Sequence, residues 1–182
     1  MYSERRGLFL TYRHLRILLS VLCWTLILFF LYLIYGMSGQ AGEESSQLSL
    51  KVTRYLASAV NSGFSDFSRS EQNAVIEYLH PIVRKLAHFS EYAVLGALLM
   101  CAALCHIWSL WARVTVAVLC SGLAGLMDEF HQLFVSGRAG SLRDAASDFC
   151  GAVLGICVIC ALRSLILSVY RAQKNLTSTM NN

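Results

Sequence analysis

Residues 15–36 read LRILLSVLCWTLILFFLYLIYG, a run that carries no charge after Arg16. A bilayer core of roughly 30 Å requires about 20 mostly apolar residues in one α-helix. The run therefore predicts a membrane-spanning helix. It is about twice as long as the apolar part of a typical secretory signal, so we expect a retained anchor rather than a cleaved leader.

Three further apolar stretches follow, at residues 86–106, 109–127 and 145–167. The first and last of them each contain an acid, Glu91 and Asp148, within an otherwise apolar sequence. We therefore predict an all-α integral membrane protein built as a bundle of four transmembrane helices. Small residues let such helices approach closely, and the third and fourth spans contain Gly122, Gly125, Gly151 and Gly155.

The composition of the whole chain favours the same class. Of its 182 residues, 56% are hydrophobic and 14% are charged, and the mean hydropathy is +0.54. Soluble domains carry about one quarter charged residues, so a soluble globular enzyme is disfavoured. The net charge of +4 is small and the basic residues are spread along the chain. We therefore expect no nucleic-acid partner.

The predicted spans divide the chain into five segments. These are a basic cytoplasmic tail at 1–14, the first span at 15–36, an extracytoplasmic segment at 37–84, a core of three spans at 85–168, and a cytoplasmic tail at 169–182. Within the extracytoplasmic segment, apolar residues at helical spacing predict two short amphipathic helices on the membrane surface. Their apolar positions are Leu48, Val52, Tyr55, Leu56 and Val60, then Val75, Tyr78, Leu79 and Ile82.

The orientation follows from basic residues near the span ends. Arg5, Arg6, Arg13 and Arg16 precede the first span, so we predict a cytoplasmic N-terminus. Four crossings return the C-terminus to the same side. In either orientation, residues 36–85 and 128–144 share one side of the membrane, and most of the unusual polar residues lie in or next to them.

Those polar residues begin the second span, end the third, occupy the loop after it and begin the fourth. In chain order they are Lys85, His88, Glu91, Tyr92, Asp128, Glu129, His131, Gln132, Arg138, Arg143, Asp144 and Asp148. Residues three or four apart within a span share a helix face. Ionisable residues inside a span are costly, so their presence predicts a functional site.

Three interpretations of this cluster remain open from the residues alone. The first is a salt-bridge network that only fixes helix packing. The second is a metal site with His and carboxylate ligands, of the Zn, Mn or Mg kind, although no ligand spacing is specific. The third is a pocket for an anionic head group, with Arg138 and Lys85 as a clamp and a carboxylate or His as general base.

The ordered clusters resemble those of the VanZ-like membrane proteins. The resemblance runs from about Gly36 to Gly155 and includes a Met37-Ser38-x-Gln40 segment after the first span. Its motifs are Lys85-x-x-His88-Phe-x-Glu91-Tyr92, Asp128-Glu129-x-His131-Gln132, Gly137-Arg138-x-Gly140-Ser141-x-x-Asp144 and Asp148-x-x-Gly151. The resemblance implies a bacterial plasma-membrane protein. It also implies an association with low-level resistance to teicoplanin, a lipoglycopeptide that acts outside the cell on wall precursors.

The residues and the resemblance together lead to one main hypothesis, in which the polar residues form a pocket that faces outward. There the protein would hydrolyse or transfer the head group of an anionic envelope lipid or lipid-linked wall precursor. Catalysis is expected from Glu129, His131, His88 and Asp128, and substrate binding from Lys85, Arg138, Arg143, Tyr92 and Gln132. Supporting acids are expected at Glu91, Asp144 and Asp148.

Two other kinds of function stay open: a non-catalytic binder, and a structural or regulatory partner of another envelope enzyme that uses the surface helices. A proton-coupled transporter is disfavoured because four short spans leave little room for alternating access. A divalent metal cofactor and an oligomeric state are compatible with the sequence, and neither is specified by it.

Overall fold

A computed structural model describes residues 2–39, 42–106, 109–138 and 140–180. Gln40, the last residue of the Met37-Ser38-x-Gln40 segment, lies outside the described residues. The described residues form helices and no strand. The helices are α1 (Tyr2–Ser38), α2 (Gly42–Val60), α3 (Arg69–Leu104), α4 (Leu110–Gln132) and α5 (Leu142–Met180), with a short 3-10 helix at Phe64–Asp66. The predicted all-α class is confirmed.

Four of these helices contain segments long and apolar enough to cross a membrane: Arg13–Ser38, Arg69–Leu104, Leu110–Gln132 and Leu142–Ser178. Large apolar side chains point outward from the bundle, among them Leu28, Leu119 and Leu165, each more than 60% exposed. An apolar surface of this extent is stable in lipid and would promote aggregation in water. The prediction of four membrane-spanning helices is confirmed.

The beginning of α3 differs from the predicted layout. A capping box begins the helix: Ser68 Oγ accepts a hydrogen bond from the Glu71 backbone N–H, and the Glu71 carboxylate accepts one from the Ser68 N–H. The expected second surface helix and the second span are therefore one continuous helix, not two elements that meet at Lys85. Pro81 lies inside this helix rather than at its start. Between Arg69 and Leu95 the helix contains no glycine.

The first expected surface helix is present as α2, which packs on the N-terminal part of α3. Ala57, Phe64 and Ile76 form a small core between α2, the 3-10 helix and α3. Tyr55 and Val60 on α2 are exposed. The segment after α1 is thus anchored to the bundle by its own apolar contacts.

The closest helix packing lies between α3 and α5. A Cβ atom at Gly151 would collide with the Phe89 carbonyl oxygen, and one at Gly96 would collide with that of Ala152. Only glycine permits such an approach of two helix backbones. At Gly122 on α4, by contrast, a Cβ would make an ordinary contact of 3.4 Å with the Phe149 ring. The predicted close contact is therefore found at the fourth span and not at Gly122.

Beyond this contact the centre of the bundle is formed mainly by apolar side chains. Leu95 and Met100 of α3 are 0% exposed, and they pack with residues of α1, α4 and α5, including Ile27, Ala117 and Ile156. The polar residues singled out from the sequence lie at one end of this core. The core therefore fixes the relative positions of the helices that carry the site.

Candidate functional site

A cavity of about 240 Å³ opens at the end of the bundle where α4 ends and α5 begins, beside residues 84–88 of α3. Seven of the twelve predicted site residues line it: Lys85, His88, Glu129, Gln132, Arg138, Asp144 and Asp148. Arg84, Gly137 and Ser147 complete its wall. Three separate parts of the sequence therefore form one polar site.

The innermost acid, Asp128, ties the end of α1 to α4. Asp128 is 0% exposed, and its Oδ2 accepts hydrogen bonds from Ser38 Oγ and Gln132 Nε2, both at 3.0 Å. Gln132 Nε2 also lies 3.4 Å from Ser38 Oγ. Ser38 was not predicted as a site residue, although its position as the last polar side chain of α1 was a usable signal.

Basic side chains form one wall of the cavity. Lys85 Nζ lies 3.0 Å from Asp144 Oδ1, which links α3 to the start of α5. The Arg138 guanidinium donates to the Met37 carbonyl oxygen at 2.9 Å. Burial, and then the nearby Arg84, lower the pKa of Arg138. The guanidinium still stays charged at neutral pH, because the ordinary pKa of arginine lies far above neutrality. The site thus presents fixed positive charge.

The loop between α4 and α5 closes over Glu129. This residue is 8% exposed, and its Oε2 accepts a hydrogen bond from the Ser141 backbone N–H at 2.6 Å. A Cβ atom at Gly140 would collide with the Glu129 carbonyl oxygen, so the loop can lie this close only with glycine there. One carboxylate oxygen of Glu129 is held by the loop while the side chain lines the cavity.

A group of potential cation ligands lies at the inner end of the site. One ligand atom from each of His88, Asp128 and Asp148 lies within 4.8 Å of the other two. His88 Nδ1 is 3.4 Å from Glu91 Oε2. Imidazole nitrogen and carboxylate oxygen are donors that suit divalent metal ions. The three ligand residues come from three different helices, α3, α4 and α5.

Five predicted site residues do not line the cavity. Asp128 and Glu91 contact its lining residues Gln132 and His88, whereas His131, Arg143 and Tyr92 lie elsewhere. His131 is exposed and its ring centre is 6.2 Å from that of Tyr35, because three residues after Asp128 the helix has turned by about 60° away from the buried face. Arg143 is exposed. Tyr92 is buried, and its hydroxyl donates to the Ala124 carbonyl at 3.4 Å. Residues three apart on a helix still differ by about 60° in direction, so their spacing alone could not show which of them line the cavity.

A sequence model of the VanZ/LLP1 family matches residues 22–164, well over half of the chain. The chain belongs to the VanZ/LLP1 family. The match runs from α1 into α5 and so includes every residue that surrounds the cavity. Neither a curated protein nor a solved structure has a significant match to the chain. The resemblance to VanZ-like membrane proteins that the polar motifs indicated is confirmed.

Proposed function

We propose that this VanZ-like protein binds the phosphate-bearing head group of an envelope lipid in the cavity and cleaves or transfers that group. The observation that carries the proposal is the composition of the cavity wall. Arg84, Lys85 and Arg138 supply positive charge, while Glu129 and Asp148 supply buried carboxylates. Cations attract a phosphate, and carboxylates next to it can accept a proton.

The binding step relies on the arginines. A guanidinium presents a planar set of donors that matches two oxygens of a phosphate group. Arg138 comes from the loop between α4 and α5 and Arg84 from α3, so the two approach a bound group from different elements. Lys85 adds a point charge, already held in place by Asp144. The cavity opens at the end of the bundle, where a lipid head group would lie.

The chemical step is assigned to Glu129 and Lys85, which line the same cavity. A water molecule gives its proton to the Glu129 carboxylate as its oxygen forms a bond to phosphorus. The bond from phosphorus to the leaving oxygen breaks, and that oxygen takes a proton from the Lys85 ammonium, which regains one from the protonated Glu129. For transfer rather than hydrolysis, an acceptor hydroxyl replaces the water. Phosphoryl transfer depends chiefly on positioning and charge stabilisation, and the basic wall supplies both.

The orientation is part of the proposal. The arginines before the first span favour a cytoplasmic N-terminus in a bacterial plasma membrane, with the cavity on the outer side. Lipid head groups, lipid-linked wall precursors and teicoplanin meet on that side. An effect on teicoplanin susceptibility would then follow from a change in these lipids. A reporter fused to the C-terminus that is active only in the cytoplasm tests the orientation, and activity of an export-dependent reporter there would reverse it.

The reaction is tested by comparing the lipids of cells that express the wild type, Glu129→Gln or Glu77→Gln. Glu77 is an exposed acid on α3 outside the cavity and serves as the matched control. We expect one lipid pool to change with the wild type and with Glu77→Gln and not with Glu129→Gln. Measuring phospholipids and wall precursors separately distinguishes the two sources of phosphate. Equal pools in all three strains would remove the catalytic assignment.

A second candidate is a non-catalytic binder that shields a lipid-linked molecule. Its support is that several cavity groups already have partners, namely Lys85 with Asp144 and Glu129 with the Ser141 N–H. A binder predicts that no product forms and that the charge-conserving change Asp144→Glu is tolerated. An enzyme of the proposed kind predicts a measurable loss of turnover for Asp144→Glu, because the longer side chain shifts Lys85.

A third candidate is a structural or regulatory partner of another envelope enzyme. The supporting observation is a set of exposed apolar side chains near the cavity end: Tyr55, Val60 and Tyr78 are 72%, 86% and 74% exposed. This function predicts that replacing Tyr55 and Val60 by serine abolishes the cellular effect while Glu129→Gln leaves it intact. The reverse pattern favours the enzyme.

A further inference from the structure

We infer that His88, Asp128 and Asp148 form a binding site for one divalent transition-metal ion of the Mn²⁺ or Zn²⁺ kind. One donor atom from each residue lies within 4.8 Å of the other two. With metal–ligand bonds of about 2.0–2.2 Å, the donors of a tetrahedral site lie about 3.3–3.6 Å apart. Because no pair of these donors is more than 4.8 Å apart, each pair needs to approach by no more than about 1.5 Å to share one ion.

The donor set fits this class of ion. One imidazole and two carboxylates combine a ligand that suits zinc with ligands that suit manganese. Three protein ligands with a remaining open position are the arrangement of catalytic rather than structural zinc sites. His88 and Asp148 line the cavity, so a bound ion would have its open position toward it.

A buried atom without a hydrogen bond gives independent support. Asp128 is 0% exposed, and its Oδ2 is engaged by Ser38 and Gln132. Its Oδ1 is buried and accepts no hydrogen bond from any described residue. An oxygen buried in this state costs about 1–3 kcal/mol, and more when it is charged. Coordination of a cation removes that cost.

The second ring nitrogen of His88 has the partner expected of a metal-binding histidine. Its Nδ1 lies 3.4 Å from Glu91 Oε2, and neither atom hydrogen-bonds to any residue that the structure describes. Metal-bound histidines usually direct their other ring N–H to a carboxylate, which fixes the ring and its tautomer. Glu91 is therefore assigned as the orienting carboxylate, with Nε2 of His88 left to bind the ion.

The packing of the helices holds the ligands together. Gly151 of α5 approaches the Phe89 backbone of α3 more closely than a residue with a Cβ atom could. Phe89 follows His88 directly, and Gly151 lies one turn after Asp148. The glycine contact therefore sets the distance between the two ligand-bearing segments. Asp128 completes the set from α4, where Ser38 and Gln132 fix the orientation of its carboxylate.

Metal binding is tested on the purified full chain in detergent, treated with a chelator, incubated with MnCl₂ and desalted. Mn²⁺ is the probe because the seven free cysteines would bind Zn²⁺ more readily than Mn²⁺. We expect about one Mn²⁺ per chain by elemental analysis. His88→Gln and Asp148→Asn should each weaken binding by more than about tenfold, because loss of a residue that merely orients a ligand already costs about that much. The exposed residues His14 and Asp66 provide the matched controls His14→Gln and Asp66→Asn.

A thermal unfolding measurement on the same samples separates loss of the site from loss of the fold. Mn²⁺ should raise the unfolding temperature of the wild type and both controls and leave that of Asp148→Asn unchanged. Failure of the wild type to retain Mn²⁺, or equal retention by His88→Gln and Asp148→Asn, would overturn the site. No lipid is added in this experiment, so its result is independent of the proposed lipid reaction.

Discussion

Within α3, Leu95 and Met100 are wholly enclosed by apolar side chains, whereas His88 and Glu91, one to three turns earlier, lie among carboxylates and arginines. Both regions are packed by the same neighbours, α4 and α5. They differ in what fills the space between the helices. In the apolar half it is side chains in direct contact, and in the polar half it is a cavity with buried charge.

The difference separates stability from function. Burying ionisable groups without enough hydrogen-bond and ion-pair partners costs free energy. The hydrocarbon core of a membrane provides little water to reduce that cost. A bundle that needed only stability would continue its apolar packing to both ends. We therefore attribute the polar half to the proposed binding function, and the apolar half to the need to hold α1, α3, α4 and α5 in register. Four substitutions test this division, in order of expected effect.

The largest effect is expected where the two halves meet, at Gly151. Gly151→Ala places a Cβ against the Phe89 carbonyl oxygen and forces α3 and α5 apart. We expect a loss of about 3 kcal/mol, at the upper end of the range for overpacking, measured by unfolding in detergent. Gly122→Ala is the control, since its Cβ would contact the Phe149 ring at an ordinary 3.4 Å. Equal stability of the two variants would show that the close contact does not hold the bundle together.

The next effect concerns the tie between α1 and α4. Ser38→Ala removes one of two donors to Asp128 Oδ2, and a hydrogen bond to a charged group is worth about 1.5–3 kcal/mol. We expect a loss of about 2 kcal/mol in the same unfolding assay. Ser90→Ala is a suitable control, because the exposed Ser90 hydroxyl bonds only to carbonyls of its own helix. A loss as small as that of Ser90→Ala would mean that Ser38 does not anchor α1.

A gain in stability is expected at Asp148. This carboxylate is 2% exposed and lies near those of Glu129, Asp128 and Asp144, so Asp148→Asn relieves repulsion between like charges. In the presence of a chelator we expect the variant to be about 1 kcal/mol more stable than the wild type. Added Mn²⁺ should reverse the order. A variant less stable than the wild type under chelation would show that the acid serves packing rather than ligand binding.

The smallest effect is expected on the outer surface. Leu126 on α4 is 53% exposed and faces lipid in the bundle, so Leu126→Ala exchanges one apolar contact for another. We expect a change below about 0.5 kcal/mol, the usual limit for surface substitutions. A change of several times this size would indicate that a second protein chain, rather than lipid, covers this face.

Much of this architecture could be predicted from the sequence, because span length and apolar composition are local properties. The charge-free run at 15–36 and the acids at Glu91 and Asp148 indicated the spans and the polar end. Residues 36–85 and 128–144 were expected on the same side of the membrane because two spans lie between them. The structure places Lys85, Glu129 and Asp144, from these separate segments, around one cavity.

The remaining features depend on contacts between helices that spacing along one helix does not encode. His131 and Asp128 are three residues apart, yet one faces α1 at the surface and the other is fully buried. Ser38 gains its role only because Asp128 lies opposite it. A capping box at Ser68 sets the start of α3, and the helix continues through Pro81. These outcomes are decided by packing partners, not by local sequence.

Native mass spectrometry of the purified chain tests most directly whether the polar end of the bundle binds a phosphate-bearing lipid. Wild type and Arg54→Gln, a variant at an exposed arginine on α2, should retain a bound anionic lipid. Arg138→Gln should lose it by about tenfold, which corresponds to about 1.4 kcal/mol and to the loss of one charge-assisted contact. Equal lipid retention by all three proteins, or none by the wild type, would contradict the account.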